Sequence, residues 1–114
     1  MLKTRIWTLK IEERLLENYK FSMVLTRIEV RILLIFLQQP KQAISHYLIA
    51  ERLGRNPDIY KGVCMCISRL NKRFKKLTGG GKLFVSVRNH GFYLKKAILL
   101  FEVAVICGWA AAPI

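Results

Sequence analysis

One stretch of the sequence, residues 59–77, restricts the fold more than any other because its two sides differ in chemistry. At about 100° per residue, an α-helix here gathers its apolar side chains into a stripe roughly 80° wide. That stripe contains Val63, Ile67, Leu70, Phe74 and Leu77. The opposite side contains Lys61, Met65, Ser68, Arg69, Lys72 and Lys76. We therefore expect a long helix that buries one face and presents a basic one.

The basic face has two interpretations. Cations mixed with small polar groups suit a helix that lies in the major groove of DNA, whereas a merely solvated basic face is the commoner arrangement. The charge distribution favours the first. The chain has a net charge of +13, and residues 52–96 contain twelve Lys or Arg against one acid, Asp58. Such a concentration indicates a nucleic acid or an anionic membrane surface as partner.

Length and composition indicate one ordered domain. The chain has 114 residues, of which 53% are hydrophobic and 24% charged, and this balance argues against disorder. Its cysteines, Cys64, Cys66 and Cys107, form no disulfide framework. We interpret Cys64 and Cys66 as helix-packing residues of a reducing cytoplasm. No continuous apolar segment follows the first basic residues, so we expect no cleaved signal peptide.

The N-terminal quarter predicts strands. Trp7, Leu9 and Ile11 alternate with polar residues, and a second alternation runs through residues 19–25 after a turn at Glu17–Asn18. Two runs of period two predict a small antiparallel sheet with one buried face. Residues 11–20 are also good helix formers, and we favour strands over that alternative.

Two helices precede the basic one. Residues Thr26 to Glu29 form a capping box, which predicts a first helix that begins there and runs to Gln39. Ser45 is an N-cap for a second helix, His46 to Leu53, which Gly54 ends.

The third helix and a hairpin complete the order. Asn56-Pro57-Asp58 predicts the start of the helix, and the glycines after Thr78 predict its end. Alternation over residues 83–88, a turn at residues 89–91 and a return strand at residues 92–94 predict a basic hairpin. This order of elements is that of an α+β winged helix-turn-helix.

Four segments carry a resemblance to a known family: LTRIEVRILLIFL, ISHYLIAERLG, VCMCISRLNKRF and FVSVRNHGFYL. In this order and spacing the chain resembles the OmpR/PhoB-type winged-helix DNA-binding domain of bacterial transcription regulators, over about residues 6–95. The resemblance implies a sheet packed against three helices, with the third helix in the major groove and the hairpin, or wing, in the minor groove.

The resemblance also implies the DNA-contacting positions. Those that match groove-facing ones are Lys61, Met65, Ser68, Arg69 and, in the wing, Arg88. From charge and helix position we add Lys72, Lys76 and Lys82 as phosphate contacts. Arginine can bind guanine with two hydrogen bonds or enter a narrow minor groove, and lysine neutralises phosphates without a fixed direction.

Three departures from the family leave the target sequence open. Leu53 stands where an aromatic residue is often found, Asn71 where an arginine is common, and Asn89–His90 where the turn usually contains glycine. We assign His90 to the turn and not to a metal site. We expect no receiver domain, since Asp58 is the only aspartate in the chain.

Residues 97–114 form a separate apolar tail after the predicted domain of residues 1–96. Its eighteen mostly apolar residues follow Lys95–Lys96, so a short membrane span with its basic flank inside is one interpretation. The ToxR-type branch of the same family has such a tether. A truncated gene, or a tail that docks on the domain or on a partner, are the alternatives. We expect a protein of the bacterial cytoplasm, with an inner-membrane tether left open.

The predicted function is sequence-specific regulation of transcription. Double-stranded DNA is the expected partner, and RNA polymerase and a second copy of the chain on DNA are further ones. The alternative is an interaction module that binds another regulator or a polymerase subunit. We expect neither an enzyme nor a cofactor, since the sequence shows no spaced carboxylate pair, no nucleotide loop around residues 79–81 and no Cys–His pair.

Overall fold

The computed structural model describes residues 6–39, 42–56 and 62–101. Within them the strands are β1 (Ile6–Lys10), β2 (Leu15–Glu17), β3 (Ser22–Val24), β4 (Phe84–Val87), β5 (Gly91–Leu94) and β6 (Ala97–Phe101). The helices are α1 (Arg27–Gln38), α2 (His46–Arg52) and α3 (Gly62–Thr78). The predicted α+β class, with three helices followed by a hairpin, is confirmed.

The N-terminal residues form strands, as predicted, but three of them where two were expected. β2 lies in the segment rich in helix formers and pairs antiparallel with both β1 and β3. The turn between β2 and β3 is closed by the Asn18 side chain, whose Oδ1 accepts hydrogen bonds from the backbone N–H groups of Lys20 (2.8 Å) and Phe21 (2.7 Å). Strand pairing on both sides overrides the local helix preference here.

The sheet has a fourth strand that was not predicted. β6 pairs parallel with β1, from Ile6 opposite Ala97 to Lys10 opposite Phe101, and the strand order is β3-β2-β1-β6. The predicted antiparallel pairing of the N-terminal strands holds for β1, β2 and β3, and the parallel pairing of β6 was not expected. A parallel pair needs a long connection between its strands, and here the three helices and the β4–β5 hairpin provide it.

The first five residues of the predicted tail belong to this sheet. Ile98 packs against the core, and the backbone of Phe101 accepts a hydrogen bond from the N–H of Ile11 (3.3 Å). Residues 102–114 lie outside the described residues. Over residues 6–39, 42–56 and 62–101, no helix has the length and apolar content needed to cross a membrane.

The helix boundaries follow the predicted caps to within one residue. Thr26 and Glu29 form the reciprocal capping box, with Thr26 N–H donating to Oε1 of Glu29 (2.8 Å) and Glu29 N–H donating to Oγ1 of Thr26 (3.2 Å). Oγ of Ser45 accepts from the N–H of Leu48 (3.1 Å) at the start of α2. The predicted start of the third helix at Asn56-Pro57-Asp58 falls mostly on residues 57–61, which lie outside the described residues.

One core joins the sheet, the helices and the hairpin. The ring of Trp7 in β1 lies 4.8 Å from that of Phe74 in α3, and the ring of Phe36 in α1 lies 4.9 Å from that of Phe84 in β4. All four side chains are buried. Aromatic contacts of this kind add to the stabilisation from burial alone. The sheet thus packs against α3, and the base of the hairpin packs against α1.

Candidate nucleic-acid interface

The two faces of α3 have different surroundings. The helix is uninterrupted from Gly62 to Thr78, and four members of its predicted apolar stripe are buried, while the fifth, Leu77, is partly buried and packs against the core. Val63, Ile67, Leu70 and Phe74 are each 2% exposed or less. Because these side chains point into the core, the opposite side of the helix must face outward.

The outward side carries the side chains that sequence analysis placed there. Exposed on α3 are Met65, Ser68, Arg69, Lys72 and Lys76. The last four follow Met65 by three, four, seven and eleven residues, and this spacing puts all five on one stripe along the helix. Lys61, the remaining predicted member, lies outside the described residues.

The wing, defined as the β4–β5 hairpin of residues 84–94, ends in an exposed tip. Arg88, Asn89 and His90 form this tip, and the carbonyl of Val87 accepts a hydrogen bond from the N–H of His90 (3.0 Å) to close the turn. Asn89 has a φ of +65°, which asparagine tolerates better than most residues. The tip therefore presents Arg88 to solvent, where the family resemblance expects a DNA contact.

The wing is anchored on its β5 side by the segment that leads into α2. The backbone of Ile44 both donates to the carbonyl of Phe92 (2.7 Å) and accepts from its N–H (2.9 Å). Gly91 makes this close approach feasible. It has a φ of +102°, and a Cβ added there would overlap the carbonyl of Ile44. Glycine is required at this position for both reasons.

A cleft of about 280 Å³ separates α3 from the wing. Three lysines and two hydroxyls are among its lining side chains: Lys72, Lys75, Lys82, Ser68 and Ser86. No carboxylate lines it, since residues 62–101 contain nine Lys or Arg and no acid. Sequence analysis missed Lys75. It lies one helical turn after Lys72, on the side of α3 that faces the wing, and only the hairpin's position identifies that side.

Asn71 faces the wing and not the solvent-exposed stripe. Its Nδ2 donates to the carbonyl of Phe84 (3.0 Å), and its Oδ1 accepts from the N–H groups of Phe84 (2.8 Å) and Leu83 (3.2 Å). Sequence analysis treated Asn71 only as a departure from the family that leaves the target sequence open. The structure shows it as a direct link between α3 and the base of the wing.

A second link joins α3 to α1 and β3. The guanidinium of Arg73 donates from Nη1 and Nη2 to the carboxylate of Glu29 at 3.0–3.2 Å, and from Nη2 to the carbonyl of Val24 (2.8 Å). Glu29 is 4% exposed, so its charge is buried, whereas Arg73 reaches the surface. A carboxylate held by two guanidinium nitrogens is a strong and geometrically specific pair. Sequence analysis did not identify it.

The cysteine interpretation is half right. Cys66 is partly buried and packs against the core, but Cys64 is exposed at the cleft. Cys107 lies outside the described residues. Among the residues that the structure describes, no group of three or more His, Cys, Asp or Glu is placed to hold a metal ion.

Solved structures resemble this chain, although no protein-family model and no curated protein matches it. The DNA-binding domain of Escherichia coli CadC aligns with a TM-score of 0.60 and 20% identity, covering 74% of this chain and 80% of that one. The C-terminal domain of the nisin resistance regulator NsrR, a lantibiotic response regulator, aligns with a TM-score of 0.57 and 28% identity, covering 77% and 89%. The resemblance found in the sequence is confirmed at the level of structure, and this chain has the winged helix-turn-helix fold of the OmpR/PhoB type.

Proposed function

We propose that this protein binds double-stranded DNA with sequence specificity and regulates transcription. The observation that carries the proposal is the exposed stripe of α3, which lies opposite an apolar stripe packed into the core on an uninterrupted helix. The similar structures support it, since one is named a DNA-binding domain and the other belongs to a response regulator. The basic wing beside α3 gives the second point of contact.

The dimensions of α3 suit the major groove. An α-helix with its side chains is about 10–12 Å across, and the major groove of B-DNA is about 12 Å wide. The exposed stripe from Met65 to Lys76 extends about 16 Å along the helix axis. A helix this long meets base edges along one part and the phosphate backbone along another. We assign the bases to Met65, Ser68 and Arg69, and the phosphates to Lys72 and Lys76.

Each side chain suits its assigned contact. The planar guanidinium of Arg69 can donate two parallel hydrogen bonds to N7 and O6 of guanine. Ser68 can donate to or accept from a base, and Met65 offers an apolar contact to a thymine methyl group. On charge and sequence position alone, Lys61 joins the same face.

The cleft between α3 and the wing is the place for a DNA strand. Lys72, Lys75 and Lys82 line it without a carboxylate, so phosphates that pass there replace repulsion among cations with attraction. Arg88 at the wing tip then reaches the adjacent minor groove, whose negative potential is greatest where the groove is narrow.

The test begins with selection of bound oligonucleotides from a random pool. On the selected site, Arg69→Ala and Arg88→Ala should each weaken binding by about 1–3 kcal/mol. Lys20→Ala is the control, because it removes one exposed positive charge from the turn between β2 and β3 and should leave affinity unchanged. If both arginine variants bind the selected site as tightly as the wild type, the proposed docking is wrong.

Ionic strength separates DNA binding from the alternative of a protein partner, such as another regulator or a polymerase subunit. The affinity of a protein that contacts several phosphates falls steeply with salt, whereas the affinity of an apolar protein interface changes little.

The selected sites also show how many copies bind. Two spaced half-sites would indicate a pair of chains on DNA.

A further inference from the structure

The start of β4 presents backbone groups that no strand covers. The carbonyl of Leu83 accepts from the N–H of Lys95 (2.8 Å), so Leu83 is hydrogen-bonded across the hairpin. In an antiparallel pair this role alternates, and the next residue directs its N–H and C=O to the other side. Phe84 therefore points both groups away from β5, toward α3.

Asn71 satisfies these groups in the way a neighbouring strand would. Its amide donates to the carbonyl of Phe84 and accepts from the N–H of the same residue, and it accepts a third hydrogen bond from Leu83. Leu83 and Phe84 are at most 1% exposed, so water is a poor substitute for these partners. One side chain of α3 thus holds the base of the wing.

Of the two hydrogen-bonded anchors of the wing in the described part of the chain, Asn71 is the one that comes from the helix with the base-contacting residues. The other, Ile44, lies ahead of α2 and holds β5. From Phe84 to Arg88 the strand extends about 13 Å. A rotation of the wing of about 10° at its base would move the tip by roughly 2 Å. Hydrogen-bond lengths vary by only about 0.5 Å, between 2.7 and 3.2 Å, so such a shift would break a contact made by the tip.

We propose that Asn71 is a positioning residue that fixes the wing relative to α3, so that Arg88 reaches the minor groove while Arg69 reads the major groove. The inference rests on the DNA-binding function proposed above. Asn71 itself touches no DNA in this arrangement. Its effect on affinity passes through the wing.

A double-mutant cycle on the selected DNA site tests this role with the chain of 114 residues. In the wild-type background, Arg88→Ala should weaken binding by about tenfold or more. In the Asn71→Ala background the same change should cost less than twofold, because the wing tip has already lost its position. Arg69→Ala is the matched control, and it should cost the same in both backgrounds.

Three outcomes would overturn the proposal. Equal losses from Arg88→Ala in both backgrounds would show that Asn71 does not position the wing, while the proposed function stands. If Arg69→Ala and Arg88→Ala both cost less affinity in the Asn71→Ala background, and by the same factor, then Asn71→Ala damages the domain as a whole. No loss from Arg88→Ala in the wild type would remove the wing contact from the proposed function, and the positioning role with it.

Amide hydrogen exchange, measured without DNA, tests the hydrogen bonds of Asn71 directly. In Asn71→Ala, amide hydrogen exchange at Leu83 and Phe84 should become faster, while Ile44 and Phe92 keep their protection. Unchanged exchange at Leu83 and Phe84 would contradict the proposal. If Asn71→Ala does not fold, Asn71→Asp serves in both experiments, since it keeps the two acceptor contacts and replaces the donor to Phe84 with a carboxylate oxygen that the Phe84 carbonyl repels. It should then show a change in the same direction.

Discussion

The four-stranded sheet and the unit of α3 with the wing differ most in their charge. Residues 6–24 contain three cations and three acids, whereas residues 62–96 contain nine cations and no acid. In the sheet, Lys10 lies 2.7 Å from the carboxylate of Glu17, and this hydrogen bond raises the pKa of Lys10 above its usual value. No acid follows α3 within the described chain, so positive charge accumulates there.

The difference separates stability from binding. Unneutralised like charge works against the folded state, so α3 and the wing depend on the core for their position and gain from an anionic partner. The contact between Trp7 and Phe74 is one place where the two regions meet. Substitutions at that contact should reduce the free energy of unfolding, and substitutions on the outer face of α3 should reduce DNA affinity alone.

The largest effect should follow from Phe74→Ala. The ring is fully buried and packs against Trp7, so its removal leaves a cavity between the sheet and α3 and should lower the free energy of unfolding by about 3–5 kcal/mol. Lys76→Ala, two residues on and exposed, should change it by less than about 0.5 kcal/mol. Urea denaturation measures both. Equal losses would show that the two faces of α3 are not divided as described.

Gly91→Ala should come next. The new Cβ would meet the backbone of Ile44 as well as an unfavourable positive φ, and we expect a loss of about 2–3 kcal/mol of unfolding free energy. Gly79→Ala is a matched control, with a φ of +81° but no atom near the added Cβ, and it should cost only about 1–2 kcal/mol. If thermal and urea unfolding give the two variants the same loss, the contact between the wing and Ile44 is not tight.

Local signals predicted much of this structure. The capping box at Thr26 and Glu29, the cap at Ser45 and the period of α3 all act within a few residues, and the observed helices agree with them. Exposure of Met65, Ser68, Arg69, Lys72 and Lys76 follows from the same period. Their contacts with DNA stay a prediction.

Elements that depend on pairing with other strands, and not on their own sequence, were missed. β2 consists of residues with no strand preference and exists because β1 and β3 flank it. β6 pairs with a strand about ninety residues earlier, and its apolar run is equally typical of a membrane segment. Asn71 and Arg73 were missed for the same reason, since their partners lie 13 and 44 residues away.

Arg73→Ala tests the link between the sheet and α3 at moderate cost. It leaves the buried Glu29 without its partner, but because Arg73 is 41% exposed the loss should stay near 1–2 kcal/mol of unfolding free energy, below that of a fully buried pair. Arg88→Ala, at the exposed wing tip, should leave stability unchanged. A loss from Arg73→Ala no greater than that from Arg88→Ala, measured in urea, would mean that the ion pair adds nothing to the position of α3.

The smallest effect belongs to the lysines of the outer face. If Lys76 neutralises one phosphate, Lys76→Gln should reduce the slope of log affinity against log salt by about 0.9 and weaken all DNA sequences alike. The affinity gap to the wild type should then shrink about threefold between roughly 50 and 200 mM salt. Lys20→Gln removes the same charge from the sheet region and should leave the slope unchanged. If Lys76→Gln and Lys20→Gln reduce the slope of log affinity against log salt by the same amount, the charge of the whole chain, and not its placement on α3, sets the affinity.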